Sequence, residues 1–259
     1  MAFNHKKEIQ VLFSLMGLMS GIGYSGTMSD NLIPESLLST YRPVVTFTIG
    51  PDFVNAGRAQ TLSLLPPFEN YYTKTNTNQT LADAGGFLGV ERTINPWLLV
   101  QLGASVYGDS QITAKGDVWQ FGVPEFANLS YSYHVEHLRV MFTNKILTTI
   151  PRYQTLHPYF IWEVGGAYNQ AQGYQETAIV AGAVPMTPFA NHNQNSFSWG
   201  VGVGIDATLN QHIRAGIGYE FSDLGKASLG PTPAALTTQT LSLAHIYANQ
   251  LRIQFTLLI

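Results

Sequence analysis

The stretch HIRAGIGYEF, residues 212–221, decides the fold. Ile213, Ala215, Ile217, Tyr219 and Phe221 fall on one face of an extended chain, while Arg214, Gly216, Gly218 and Glu220 fall on the other. The period is two, that of a β-strand with one apolar face. At 45% apolar content, five chosen positions are all apolar about one time in fifty, so repetition of the pattern elsewhere is the test of its meaning. It does repeat. Upstream, Phe197, Trp199, Val201, Val203, Ile205, Ala207 and Leu209 alternate with Ser198, Gly200, Gly202, Gly204, Asp206 and Thr208. Downstream, Leu251, Ile253, Phe255, Leu257 and Ile259 alternate with Gln250, Arg252, Gln254, Thr256 and Leu258.

Five weaker copies precede these three. They carry Val45, Phe47 and Ile49; Leu88, Val90 and Ile94; Leu98 to Val106; Leu138, Val140, Phe142 and Ile146; and Phe160, Trp162, Val164 and Tyr168. Eight strands result. Before Leu138 the apolar residues Tyr131, Tyr133 and Val135 take the odd positions, which predicts a bulge or an exit from an apolar surrounding at that point. The connections alternate in length. Turns are short at Asn95-Pro96, across Thr148 to Leu156, and at Asn210-Gln211, whereas Gly50–Leu81, Tyr107–Ala127, Asn169–Asn195 and Ser222–His245 are long. Short turns at one end and long loops at the other predict an all-β, eight-stranded, antiparallel up-and-down transmembrane β-barrel with both termini on the periplasmic side.

Composition agrees with two different surfaces in one chain. Charged residues are 11% of 259, under half of the roughly 25% usual in a soluble protein. No run of about 20 apolar residues exists for a membrane helix, and a net charge of −3 with no basic run excludes an electrostatic nucleic-acid binder. The chain has no cysteine, which removes disulfides and thiolate metal sites. Lys6 and Lys7, the apolar run Val11 to Met19 and the small residues Ser20, Gly21, Gly23 and Ser25 have the order of a secretory signal. The expected organisation is a signal peptide at 1–25, a periplasmic segment at 26–41, and a barrel at 42–259 with four extracellular loops.

The charged positions set which face looks inward. Glu91, Glu163, Asp206 and Glu220 stand with Arg139, Lys145, Arg214 and Arg252 on the polar face. Four acids meet four bases. Enclosed in an eight-stranded interior, they would pair as a structural ion network, with room made by the glycines of Gly200-Val201-Gly202-Val203-Gly204. Those glycines lie inside a strand and precede no helix, so they read as lumen residues rather than a phosphate loop. Tyr168, Phe197, Trp199, Tyr219 and Phe221 would form an aromatic girdle near the loop ends.

Together these residues resemble the eight-stranded outer-membrane β-barrel superfamily, the group around the OmpA transmembrane domain and the opacity-type surface proteins of Gram-negative bacteria. The likeness spans Tyr41 to Ile259 and is carried best by His212–Gly225, with Gly216-Ile217-Gly218-Tyr219-Glu220-Phe221, and by Ala248–Ile259. It implies the cell outer membrane, contact with bilayer and lipopolysaccharide, and recognition of the last strand by the outer-membrane assembly machinery. Family members usually end in an aromatic residue, and Ile259 departs from that. The chain stops at the last strand, so a barrel without a peptidoglycan-binding domain is expected.

No catalytic, cofactor or metal residues are assigned. His134 and His137, three apart on a strand, point to opposite faces, and nothing fixes His192, Ser196 and Glu176 as a triad. The apolar stretch Ala178–Phe189 in the third long loop marks either a contact for an extracellular partner or a cap on the barrel. In the first, Thr61–Phe68 and the polar tip Thr73–Thr80 suit strand extensions joined by a hairpin. The leading functional expectation is a membrane anchor that displays loops for interaction, adhesion or envelope integrity. A narrow channel or carrier for small solutes, and a lipid A or phospholipid-modifying enzyme, are the alternatives.

Overall fold

The computed structural model describes residues 41–64, 67–75, 78–120, 127–185, 189–231 and 237–259. Residues 1–25 and 26–40 lie outside them, as does part of the apolar third loop; Tyr41 already belongs to the first strand. The strands are β1 (Tyr41–Val54), β2 (Gln60–Ser63), β3 (Glu69–Tyr72), β4 (Gln79–Asn95), β5 (Leu98–Asp109), β6 (Ile112–Trp119), β7 (Leu129–Thr148), β8 (Leu156–Ala178), β9 (His192–Asn210), β10 (Ile213–Asp223), β11 (Ala227–Ser228), β12 (Ser242–Leu243) and β13 (Tyr247–Leu258).

Eight of them close a ring: β1, β4, β5, β7, β8, β9, β10 and β13 pair in that order, and β13 returns to β1. Every pairing is antiparallel. These are the eight segments that alternation marks in the sequence. Closure leaves none of the eight with a bare edge through the barrel wall, so the backbone groups of the wall are satisfied within the protein.

The outward rows are apolar over a band of about ten residues per strand, the length that a tilted strand needs to cross a bilayer. On β1 the band runs through Val45, Phe47, Ile49 and Phe53, with Phe47 57% exposed; on β7 through Leu138, Val140, Phe142 and Ile146, with Val140 55% exposed. Large apolar side chains left facing outward all round a ring belong against lipid. A β-barrel of this size and polarity is an outer-membrane structure.

Above the band the strands continue, and their polarity inverts. Along β7 the odd positions point inward without interruption from Leu129 to Leu147. In the band they are His137, Arg139, Thr143 and Lys145; above it they are Leu129, Tyr131, Tyr133 and Val135, while Ser130, Ser132, His134 and Glu136 face out. The phase of β7 therefore does not slip. The strand exits the bilayer, and water replaces lipid as the solvent outside. The expected bulge is in the neighbouring strand: the β7–β8 register shifts between Ser132 and His134, opposite Gly173, whose φ of +68° favours glycine. That extra residue turns Tyr174 toward the interior, 6.4 Å from the ring of Tyr131 and 4.8 Å from Phe189.

The long connections are largely structured. β6 extends the wall above β5 by pairing with β7, and the β2–β3 hairpin joins it through β3. The loop between β10 and β13 contributes the β11–β12 pair. Among the described residues, twenty-one buried apolar side chains from all these pieces form one core above the band, including Tyr72, Ile112, Leu129, Leu224, Leu241 and Ile246. Burial pushes the Tyr131 hydroxyl up to about 12, helped by Tyr72 and Asp117, and pushes those of Tyr133 and Tyr174 higher still. All three stay neutral at ordinary pH.

Candidate functional site

The polar lumen is the chemically dense part of the molecule, and it falls into two layers. The layer nearer the short turns holds Glu91, Lys145, Asp206 and Arg214. Arg214 donates to both oxygens of Glu91, with Nη2 3.1 Å from Oε1, a forked arrangement that fixes both planes. Gln101 Nε2 donates to Glu91 Oε2 at 2.8 Å. Lys145 Nζ donates to Asp206 Oδ2 at 2.7 Å and to Gln254 Oε1 at 2.8 Å, and stands 3.9 Å from the centre of the Tyr159 ring. Two acids and two bases are matched one to one. All four side chains are buried, where a lone charge would cost several kcal/mol.

The layer nearer the loops is arranged differently. Arg252 donates to Asp83 and, through Nη2, to Gln250 Oε1 at 2.6 Å, with Glu220 Oε1 at 3.6 Å. Its guanidinium lies 4.5 Å from the centre of the Tyr107 ring, and that of Arg139 lies 5.0 Å from the same ring. Arg139 is fully buried and makes no hydrogen bond; its Nη2 lies 3.9 Å from Asp83 Oδ1. Glu163 has no cation within bonding distance among the described residues. Its Oε1 instead accepts from Thr143 Oγ1 at 2.7 Å, Tyr107 Oη at 2.9 Å and Ser105 Oγ at 3.3 Å. Ser222 Oγ donates to Glu220 Oε1 at 2.7 Å.

Of the eight lumen charges read from the sequence, four thus form two pairs, Arg252 faces Glu220, and Arg139 and Glu163 take other surroundings. Three further acids, Asp52, Asp83 and Asp109, belong to the same interior. Asp83 and Asp109 are direct cross-strand partners on β4 and β5. Asp52 and Asp109 fell in segments read as loops, and Asp83 lay just before the first residue assigned to its strand. Continuing the inward alternation past Thr46 and Thr48 to Asp52, or from Tyr107 to Asp109, would have found them. His137 also faces inward and contacts Asp109, whereas His134 is on the outer face with Thr113.

Glycines make the space for these groups. A Cβ at Gly216 would lie 2.1 Å from Asp206 Oδ1, one at Gly218 would lie 2.0 Å from Tyr159 Oη, and one at Gly200 would lie 2.7 Å from Glu220 Oε1. A cavity of about 20 Å³ between Thr48, Gln101, Thr143 and Lys145 has room for about one water molecule. Patches of Val44, Phe87 and Leu258, and of Leu147, Tyr159 and Ile161, fill the turn side, and the twenty-one-residue core closes the loop side.

Outside the lumen, His192, Ser196 and Glu176 have separate partners. His192 Nδ1 lies 3.3 Å from Ser228 Oγ, Ser196 Oγ accepts from the Lys226 amide at 3.0 Å, and Glu176 accepts from Tyr174. Near the tip, Ile179 and Val184 are 54% and 64% exposed.

No protein-family model and no curated protein matches the chain. Solved structures that resemble it include the outer membrane protein OprG from Pseudomonas aeruginosa (13% identity, TM-score 0.42, 82% of this chain and 95% of that one). Neisserial surface protein A is similar at 10% identity and TM-score 0.34 over 84% and 97% of the two chains. The outer membrane protease OmpT from Escherichia coli is similar at 8% and 0.40 over 90% and 100%. Likeness at that level is distant, and the barrel assignment rests on the closed strand ring and its apolar exterior.

Proposed function

We propose that this protein is a sealed outer-membrane anchor that carries a folded extracellular unit for contact with a partner outside the cell. The observation that supports it most is the inversion of the strands above the apolar band. A barrel needed only for insertion could stop at the girdle. Here five ring strands and five extra strands, β2, β3, β6, β11 and β12, contribute to a separate apolar core in the aqueous phase. The exposed Ile179, Val180 and Val184 at its tip offer an apolar contact of the kind that partners cover. Lipopolysaccharide would surround the upper rim, where Tyr168, Phe197, Tyr219 and Tyr247 face out. The outer-membrane assembly machinery would read β13.

The filled lumen speaks against the solute channel. Purified protein in planar bilayers should give no stable current steps; reproducible single-channel steps would replace this reading with the narrow channel. For the display half, cells expressing the wild type should aggregate or adhere more than cells with the barrel bearing Ile179→Ser, Val180→Ser and Val184→Ser. Equal behaviour of the two strains and of cells lacking the protein would remove the surface-contact role.

A further inference from the structure

The loop-side layer of the lumen holds more negative charge than its partners neutralise. Asp52, Asp83, Asp109, Glu163 and Glu220 are buried there with two guanidinium groups, Arg139 and Arg252, an excess of three negative charges when all five carboxyls are ionised. Glu163 and Glu220 are supplied with hydroxyl donors. Glu163 Oε2 accepts none of these bonds, and the three aspartates share that incomplete supply while also lying close together. Asp52 and Asp83 each use Oδ2 for a protein donor, Gln250 and Arg252 respectively, and the Oδ1 of each accepts no hydrogen bond. Asp109 Oδ2 meets His137 Nε2, and its Oδ1 accepts no hydrogen bond. One oxygen from each aspartate lies within 4.8 Å of the others.

A fourth group points the same way. His137, 5% exposed, comes from β7 with its Nε2 against Asp109 and its Nδ1 without a hydrogen bond. We propose that Asp52, Asp83 and Asp109, with His137 beside them, form a buried site for one divalent cation of the calcium class. Three carboxylates offer only oxygen, the ligand of hard cations, and calcium accepts irregular oxygen sets at about 2.3–2.6 Å where magnesium demands a near-ideal octahedron. Two added positive charges reduce the excess in the layer to one, and the oxygens left without donors gain a ligand. Gln250 and Arg252 then hold the aspartates from behind, as outer partners of metal ligands commonly do. Because the apolar core closes the loop side, the ion enters as the protein folds and leaves slowly.

The test is refolding of the full chain from denaturant into detergent with Ca²⁺, Mg²⁺, Mn²⁺ or chelator, followed by desalting, metal analysis and thermal melts. Stoichiometric Ca²⁺ should stay with the wild type and raise its melting temperature over the chelator sample. Asp109→Asn should lose the retained Ca²⁺, yet melt no lower than the wild type in chelator, because it removes one surplus charge. Asp52→Asn gives the same readout if Asp109→Asn does not fold. Equal retention by wild type and variants would mark surface binding and overturn the site; preferential retention of Mg²⁺ or Mn²⁺ would overturn the calcium class. Absence of any retained metal, with stability that rises as pH falls, would show that protons neutralise these carboxylates instead.

Discussion

The two halves of β7 carry one alternation and opposite solvents. Between His137 and Thr148 the strand puts Arg139, Thr143 and Lys145 inside and Val140 and Phe142 outside; between Leu129 and Glu136 it puts Leu129, Tyr131 and Tyr133 inside and Ser130 and Ser132 outside. Backbone geometry is continuous across the boundary, so the difference comes entirely from what surrounds the wall. Against lipid, apolar groups go outward and polar groups must find partners in the lumen. Against water, the hydrophobic effect drives the same inward positions to be apolar. The two halves are thus held by different forces, ion pairs and hydrogen bonds in one and apolar packing in the other.

That contrast can be broken in four places. The largest effect is expected from Arg214→Ala, which leaves Glu91 buried without its cation and should cost about 3–5 kcal/mol in detergent unfolding. Adding Glu91→Ala should recover a large part of it; no recovery would mean that packing rather than charge holds the lower lumen. Next comes Leu129→Ala in the fully buried outer core, at about 2–5 kcal/mol. Its signature should be local: limited proteolysis opens the extracellular unit while the barrel keeps its resistance to heat in detergent, and simultaneous loss of both would show that the halves fold as one unit.

The outer surface gives a matched pair. Ile253→Arg, on the lipid face of β13, should cost about 2–4 kcal/mol if that position lies near the bilayer midplane. Ser132→Arg, on the outer face of β7 above the band, should change stability by no more than about 0.5 kcal/mol. Urea titration in lipid vesicles measures both. Equal costs would place the membrane boundary higher than the apolar band puts it.

Much of the fold was legible because a half-buried strand writes its environment into every second residue. HIRAGIGYEF and the other segments located all eight ring strands, and the alternation of short and long connections ordered them. Recognition faded where the solvent changed: Tyr131, Tyr133 and Val135 looked like a change of phase, because apolar residues had been equated with the outer face. The same equation ended β1 and β5 too early and put Asp52 and Asp109 into loops. Among the lumen charges, the sequence supplied the members of the ionic set but not the partners, since Glu91 and Arg214 are 123 positions apart in the chain.

By itself, then, the sequence determined the number of ring strands, their direction and the polarity of each face in the bilayer, since these follow from period two and from loop lengths. Only the tertiary structure decided which charges pair, that three aspartates converge beside His137, and that the long loops build a second core. Those features depend on strands that meet after the ring closes, and on inter-strand register, neither of which any local window of residues contains.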